Sequence, residues 1–442
     1  MTTGPDSEGT TESPDSIKDL ILEQEKSASL IKNRRLLEPN EIVEEERIVG
    51  RDEQLMNITQ HLRVAISNER PPNLFLYGPS GTGKSLIINA VCENIFQLCA
   101  SRDIRFGVIE LNCQNVGTLG SAVYELIRKV ANDVGTTIDI PEHGIPNKKK
   151  WRELYRLINE HYDTVVFILD ELDMLAGRRD IDEPAFSRLL YQLSRASSTD
   201  EITTAQVSVT AITNDTKMME RVGSRALSSF TPEDVHFSDY DANQLREILR
   251  ARKDAFYENT LTSDVIPLAA AFAAQTHGDA RKAIDLMRTS GSIAEKAQAD
   301  KVREQHIREA QDRVQKNRVL EVTRGISTQK KLCLFATAAV ARETENSTAK
   351  SPTGYQVYRY LTETLGSDQY HQETYVNKMK ELTTYSLVEA ERRSQGPHSG
   401  SYLQFTFGEN SQTIIETLRE DSRFNDIHDE ELRAVVTAQL AN

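Results

Sequence analysis

A parallel α/β sheet with helices on both faces, followed by an all-helical lid and a C-terminal winged-helix domain, is the fold class this sequence predicts. Three observations predict it. Short apolar, β-branched or aromatic segments alternate with helical stretches from residue 51 to about 237, the pattern of a parallel sheet with helical crossovers. From Tyr240 to about Asn317 the pattern is helical throughout. From about Arg318, three helical stretches precede two short strands joined by a glycine-containing tip.

In chain order, residues 1–40 read as an acidic, mostly disordered arm. The first sixteen are rich in Thr, Ser, Gly, Pro and acids, too few apolar groups to fold on. Leu20, Ile21 and Ile31 recur at helical spacing, and Pro39 then breaks the chain. Residues 41–237 form the sheet domain, with strands expected at 74–77, 106–112, 164–169 and 206–213. The helical lid is placed at 238–317 and includes an alanine-rich run from Pro267 to Ala274. The C-terminal domain is placed at 318–442, with helices at 332–341, 353–365 and about 369–385. In the third of these, Val376, Met379 and Leu382 face inward. The hairpin pairs 387–393 with 401–407, Leu403, Phe405 and Phe407 sharing one face, and an acidic tail closes the chain. No internal repeat is evident.

The formal charge of −14 would seem to exclude a polyanionic partner, but it is concentrated at the ends. Residues 1–46 hold 12 acids against 5 bases, and residues 408–442 hold 8 against 3, so the body is nearly neutral. A local cationic face therefore remains open. Arginine outnumbers lysine 34 to 19, which with surface acidity suits a salty cytoplasm. Cys92, Cys99, Cys113 and Cys333 show neither CxxC spacing nor clustering with histidine, and are expected to be reduced and buried in a cytoplasmic protein. No apolar run approaches 18 residues and the first residues lack a signal-peptide pattern, so no membrane partner is expected.

The chemistry begins at Gly78-Pro79-Ser80-Gly81-Thr82-Gly83-Lys84-Ser85, directly after the apolar run Leu74–Tyr77. A buried strand enters a glycine-rich turn that opens a helix, so successive N–H groups point at phosphate oxygens. Lys84 places a cation on the β and γ phosphates, Ser85 supplies a Mg²⁺ ligand, and the helix adds its positive end, starting with Leu86. The run Val165–Leu169 ends in Asp170-Glu171, at the sheet edge where a nucleotide sits. Asp170 would hold Mg²⁺, and Glu171 would act as general base for the attacking water. Strand 206–213 ends at Asn214, able to bond a γ-phosphate or the lytic water. Arg221 and Arg225 are placed to reach a neighbouring subunit's phosphate, and Arg281 to fold back over the nucleotide. Ile48 and Val49 offer apolar contact to adenine, with Tyr240 completing the expected nucleotide contacts. ATP or ADP with Mg²⁺ is the cofactor set this pattern calls for.

Taken together, these motifs resemble the AAA+ ATPases: Walker A at 78–85, Walker B at 165–171, sensor 1 at Asn214, an arginine finger and sensor 2 at Arg281. More narrowly, the chain resembles the archaeal origin-recognition and cell-division-control initiators, relatives of the eukaryotic origin recognition complex. The resemblance rests on Ile48-Val-Gly-Arg51, Tyr77-Gly-Pro-Ser-Gly-Thr-Gly-Lys84, Ile168-Leu-Asp-Glu-Leu-Asp173 and Gly278-Asp-Ala-Arg-Lys-Ala283, and extends over about residues 41–407. It implies an initiator of replication that binds and bends double-stranded origin DNA and helps load a minichromosome-maintenance-type ring helicase. It also implies association with itself or a paralogue on DNA, and a nucleoid-associated place in the cytoplasm. ATP would be a slowly hydrolysed conformational switch, its site completed in trans by a finger. Arg225 is favoured over Arg221 for that finger, because Ser224-Arg225 resembles the finger motif of clamp loaders.

Helix, helix, helix, hairpin is the order of a winged helix, whose third helix enters the major groove. Arg392, Arg393 and His398 cluster at the wing, and Gln372, Asn377, Lys378 and Lys380 lie on or near the exposed face of the third helix. Lys and Arg would contact phosphates; Asn and Gln would contact bases. Glu373 and Glu381 dilute that face. A second DNA contact is implied for an insertion within about 112–130, near Arg128 and Lys129; Lys148-Lys-Lys150 and Arg178-Arg179 are further basic spots. Two other readings stay open: a helicase or clamp loader acting by protein contacts, and an ATP-regulated transcription or plasmid regulator.

Overall fold

The computed structural model describes residues 29–39, 44–175, 179–180, 183–199, 201–275, 278–344, 346–385, 387–394, 401–408 and 410–441. The chain divides into two compact units. One comprises Ile31–Glu258 and Ile266–Asp285; the other comprises Met1–Leu30, Asn259–Val265 and Leu286–Asn442.

The first unit carries α1 (Asp52–Leu62), β1 (Leu74–Tyr77), α2 (Lys84–Ala100), β2 (Phe106–Asn112), α3 (Leu119–Asp133), α4 (Asn147–His161) and β3 (Thr164–Asp170). It continues with α5 (Ala185–Ser194), β4 (Gln206–Thr213), α6 (Ser224–Phe230), β5 (Glu233–His236) and α7 (Ala242–Arg250). The strands form one parallel sheet in the order β2-β3-β4-β1-β5. Both faces are buried. Val165, Phe167 and Leu169 pack into a layer with Leu154, Phe186 and Phe230, while Val166 and Ile168 alternate into the opposite layer with Ile87, Ile88 and Ile95. Two buried faces are why these strands read as continuous apolar runs. The strand β5 went unpredicted because it is an edge: only Val235 of Glu233–His236 is buried, so no apolar run marks it.

Register decides the site. Tyr77 stands opposite Thr213, and Leu169 opposite Ala211, so β1, β3 and β4 end side by side. The loops leaving their C-terminal ends therefore emerge together. These are the glycine-rich turn, the Asp170-Glu171 pair and Asn214.

After α8 (Val265–Gln275) and α9 (Ala280–Lys296), the second unit carries α10 (Glu304–Gly325), α11 (Thr328–Arg342), β6 (Thr348–Lys350), α12 (Ser351–Thr364) and α13 (Gln372–Leu382). It ends with β7 (Val388–Ser394), β8 (Ser401–Phe407), α14 (Ser411–Arg419) and α15 (Asp429–Leu440). Helix α11 is the pillar: every residue from Leu332 to Ala341 is buried. Around it pack Tyr358, Tyr375, Phe405 and Phe424. The sheet β6-β8-β7 is antiparallel, β6 contributing only three residues, too short a segment to stand out in the sequence.

Two expectations need correction here. On α13 the fully buried residues are Tyr375, Met379 and Leu382, with Val376 only partly buried, because the Tyr375 hydroxyl pairs with Thr337 at 2.6 Å inside the core. The acidic C-terminal stretch is folded rather than a tail. Ile414, Ile415 and Leu418 of α14, and Leu432 and Val436 of α15, are buried against the same core. Asp429 at the start of α15 accepts from the largely buried Arg342 at 2.8 Å and from Arg419 at 3.0 Å. Net charge averaged over the stretch concealed that helical periodicity. The N-terminal expectations up to residue 28 lie outside the described residues.

Candidate functional site

The glycine-rich turn keeps its shape through contacts that admit no side chain at two positions. A Cβ on Gly78 (φ +143°) would lie 2.0 Å from the Phe237 carbonyl oxygen, and one on Gly81 (φ +73°) 1.8 Å from Asp279 Oδ1. Ala280, opening α9, donates its N–H to the Gly81 carbonyl at 3.2 Å. Arg281 is thereby brought to a cavity of about 380 Å3 lined by Ser80, Gly81, Thr82, Gly83, Lys84, Ser85, Leu86, Asp170, Glu171, Asn214 and Arg281. Ile48, Val49, Tyr240, Ile248 and Ile284 add apolar surface to the same cavity, and Arg47 and Arg252 line it as well. Gly78 and Pro79 do not line the cavity; their carbonyls accept from Lys84 Nζ at 2.7 and 2.6 Å.

Lys84 is buried, and its third hydrogen bond reaches Asn214 Oδ1 at 2.9 Å. Burial brings its pKa down to about 8, opposed by Asp170 and assisted by Arg281. Ser85 Oγ donates to Asp170 Oδ2 at 2.7 Å. A hydroxyl and a carboxylate oxygen so placed are hard donors fitting a Mg²⁺ that keeps its remaining ligands as water and phosphate. Among the described residues no group of three or more His, Cys, Asp or Glu is arranged to hold a metal ion.

Glu171 is the strained residue of the site. Its φ is +53°, a region costly for any side chain, and its Oε2 is buried with no hydrogen-bond partner. Burial raises its pKa, the neighbouring Asp170 adds to the rise, and hydrogen bonding by Asn112 opposes it. An unsolvated, unpaired carboxylate oxygen beside the phosphate turn is suited to accept a proton from water.

Several residues that shape the site escaped the reading of the sequence. Asn112, at the end of β2, stands opposite Asp170 in register. Asp173 accepts from the Thr213 hydroxyl at 2.8 Å and the Asn214 N–H at 3.2 Å, fixing the end of β4. Arg51 is buried, donates to the Thr82 carbonyl at 2.9 Å, and lies 3.8 Å over the Tyr240 ring. Arg51 stood in a noted motif, but nothing local indicated that its partners are 31 or more residues away.

The two proposed finger arginines lie elsewhere. Neither lines the cavity. Arg221 pairs with Asp215, while Arg225 is exposed in the first turn of α6.

In the second unit, Gln372, Asn377 and Lys380 are exposed along α13. Lys378 is turned onto Glu381 at 2.9 Å, and Lys330 reaches the same carboxylate at 2.8 Å, so Glu381 is neutralised from two sides. Arg392 donates to Ser401 Oγ at 2.9 Å and Arg393 pairs with Glu391 at 2.7 Å. As consecutive strand residues they point to opposite faces of β7 instead of clustering. His398 and Arg178 lie outside the described residues. Arg128 pairs with Glu125 within α3. Lys150 is buried and donates to the Gly120 carbonyl at 2.9 Å, which removes it from the basic surface, whereas Lys148 and Lys149 stay exposed.

Comparison with known proteins follows the same division. An AAA ATPase domain family model matches residues 47–204, a Cdc6 AAA+ ATPase-type lid domain 246–312, and a CDC6 C-terminal winged helix domain 321–417. The chain is 53% identical over 425 residues to ORC1-type DNA replication protein 5 of Halobacterium salinarum, covering 95% of this chain and 99% of that one. It is 47% identical to ORC1-type DNA replication protein 14 of Haloarcula marismortui, with 96% and 99% coverage. Among solved structures it resembles the Aeropyrum pernix ORC1 protein in complex with DNA, with a TM-score of 0.71, 28% identity, and coverage of 90% and 99%. The Aeropyrum pernix ORC2 protein, at 18% identity and a TM-score of 0.58, shares the fold.

Proposed function

The chain belongs to the family of ORC1-type DNA replication proteins, and from that premise we propose that it binds origin duplex DNA and helps recruit and load the replicative ring helicase. It is an archaeal-type replication initiator built on an AAA ATPase domain that binds nucleotide. The observation that supports ATP hydrolysis at this site is the Ser85–Asp170 contact beside Glu171, whose Oε2 is buried with no hydrogen-bond partner.

Ser80 to Leu86 and Lys84 bind the phosphates, while Ile48, Val49 and Tyr240 hold the base. Ser85 and Asp170 would hold Mg²⁺, which when bound neutralises charge on the β and γ phosphate oxygens. Glu171 takes the proton of the attacking water. Asn214, tied to Lys84, and Arg281, on the first turn of α9, both respond to the γ-phosphate, so its loss alters how the start of α9 meets the turn. Hydrolysis is slow in the isolated chain, because Arg225 acts on a neighbour's nucleotide rather than its own.

DNA binding falls to α13 and β7. The A. pernix relative, similar over 90% of this chain, was solved with DNA. Gln372, Asn377 and Lys380 enter the groove, and Arg392 and Arg393 meet the backbone from the wing. Selection of bound fragments from sheared genomic DNA tests the reading, with wild type and Arg392→Glu/Arg393→Glu compared with ATP at several salt concentrations. Enrichment of a few intergenic sites, lost in the variant, is the expected result. Unselective binding, equal in both proteins, would overturn origin recognition and favour a loader acting by protein contacts.

A further inference from the structure

The geometry points to Arg252 as the residue that reads the nucleobase, its buried guanidinium donating to a ring nitrogen of a purine held in the cavity. This role presupposes that the cavity takes a nucleotide, as proposed above. Arg252 is 5% exposed and lines the cavity beside Arg47, Ile48, Ile248 and Ile284. Its Nη1 donates to the Leu36 carbonyl at 2.9 Å, while its Nε is buried with no hydrogen-bond partner. The acid two residues on, Asp254, is engaged by both terminal nitrogens of Arg47 at 2.8 and 2.7 Å. Arg252 is thus a buried cation with a second arginine beside it, and both burial and Arg47 lower its pKa.

A buried N–H without an acceptor costs about 1–3 kcal/mol, more when the group is charged. A guanidinium has donors only, so what relieves that cost must be an acceptor. Phosphate oxygens are accounted for by the glycine-rich turn and Lys84. The cavity that Arg252 lines also carries Ile48, Val49, Ile248 and Ile284, apolar surfaces suited to the faces of a planar base. The acceptors such a base carries at its edge are ring nitrogens. The bond from Arg252 to Leu36 also ties the base to the N-terminal arm, which Ala255 holds through the N–H groups of Lys32 and Asn33.

The test is calorimetric titration of ATP and its 1-deaza, 3-deaza and 7-deaza analogues into wild type and Arg252→Met. Each analogue replaces one ring nitrogen by C–H. The expected result is that one analogue binds wild type roughly tenfold more weakly than ATP, the scale of a hydrogen bond from a charged donor. In Arg252→Met that penalty disappears, and ATP itself binds as weakly as the analogue does to wild type. If wild type binds all three analogues like ATP, or the penalty persists in Arg252→Met, the assignment is overturned. Failure of wild type to bind ATP at all would overturn the nucleotide reading, and this role with it. Arg252→Lys, which keeps the charge and stem but lacks Nε–H, gives the same reading if the Met variant loses its thermal transition.

Discussion

At the scale of single residues, the proposed function assigns proton transfer to Glu171 and phosphate binding to Lys84, and each assignment can be tested alone. Glu171 holds a positive φ and, although Asn112 hydrogen-bonds to its carboxylate, one buried oxygen with no partner. Glu171→Gln keeps shape and volume but removes the base. Nucleotide affinity by calorimetry should be retained, while phosphate release falls roughly 10²- to 10⁴-fold, the usual contribution of a positioned general base. Lys84→Ala should do the opposite, weakening ATP binding itself by roughly tenfold or more, since hydrogen bonds from a charged donor are lost. If Lys84→Ala binds ATP like wild type, the turn is not the phosphate site.

At the scale of elements, α14 and α15 make the C-terminal stretch part of the winged-helix core. They bury Ile414, Ile415, Leu418, Leu432 and Val436, each worth about 1.5–3 kcal/mol relative to exposure as an upper bound. Ending the chain at residue 408 should therefore abolish the cooperative thermal transition of this unit, as read by circular dichroism. A solubilising tail could be removed without that loss. Acid should act at the same place. The Arg423 and Lys331 side chains hold the Asp421 carboxyl well below the usual range, and the Asp429 carboxyl is lowered by Arg342 against the opposing effect of burial. A carboxylate whose folded pKa is depressed contributes stability that is full above its unfolded pKa, near 3.9, and is lost as pH falls through the folded value. Stability of the second unit should thus hold at neutral pH and decline below about pH 4. Asp429→Asn should flatten that decline and lower the melting temperature at pH 7.

At the scale of the whole molecule, electrostatics depends on placement more than on sum. The net charge of −14 coexists with exposed Lys380 on α13 and with Arg392 and Arg393 on β7. Phosphate contacts release counterions, so each lost cation reduces the dependence of log K on log salt by about 1. Arg392→Ala/Arg393→Ala should reduce the slope by about 2 in fluorescence anisotropy with duplex DNA. An unchanged slope would remove the wing from the interface. No helix among the described residues is long and apolar enough to cross a membrane.

How much was legible follows from range. Glycine spacing, a strand ending in two acids, and an apolar pillar from Leu332 to Ala341 are local patterns, and the structure places them as strand ends, turns and a buried helix. The sequence by itself determined the parallel sheet, the phosphate turn and the helix-helix-helix-hairpin order, because each depends on residues within a few turns of one another. Only the tertiary structure decided that Arg51 clamps Thr82, that Lys150 caps Gly120 instead of facing solvent, that Arg392 and Arg393 diverge, and that the acidic C-terminal stretch is core. Those outcomes depend on which distant backbone carbonyl or carboxylate a long side chain meets. Strand register and helix packing set such meetings; composition and spacing do not.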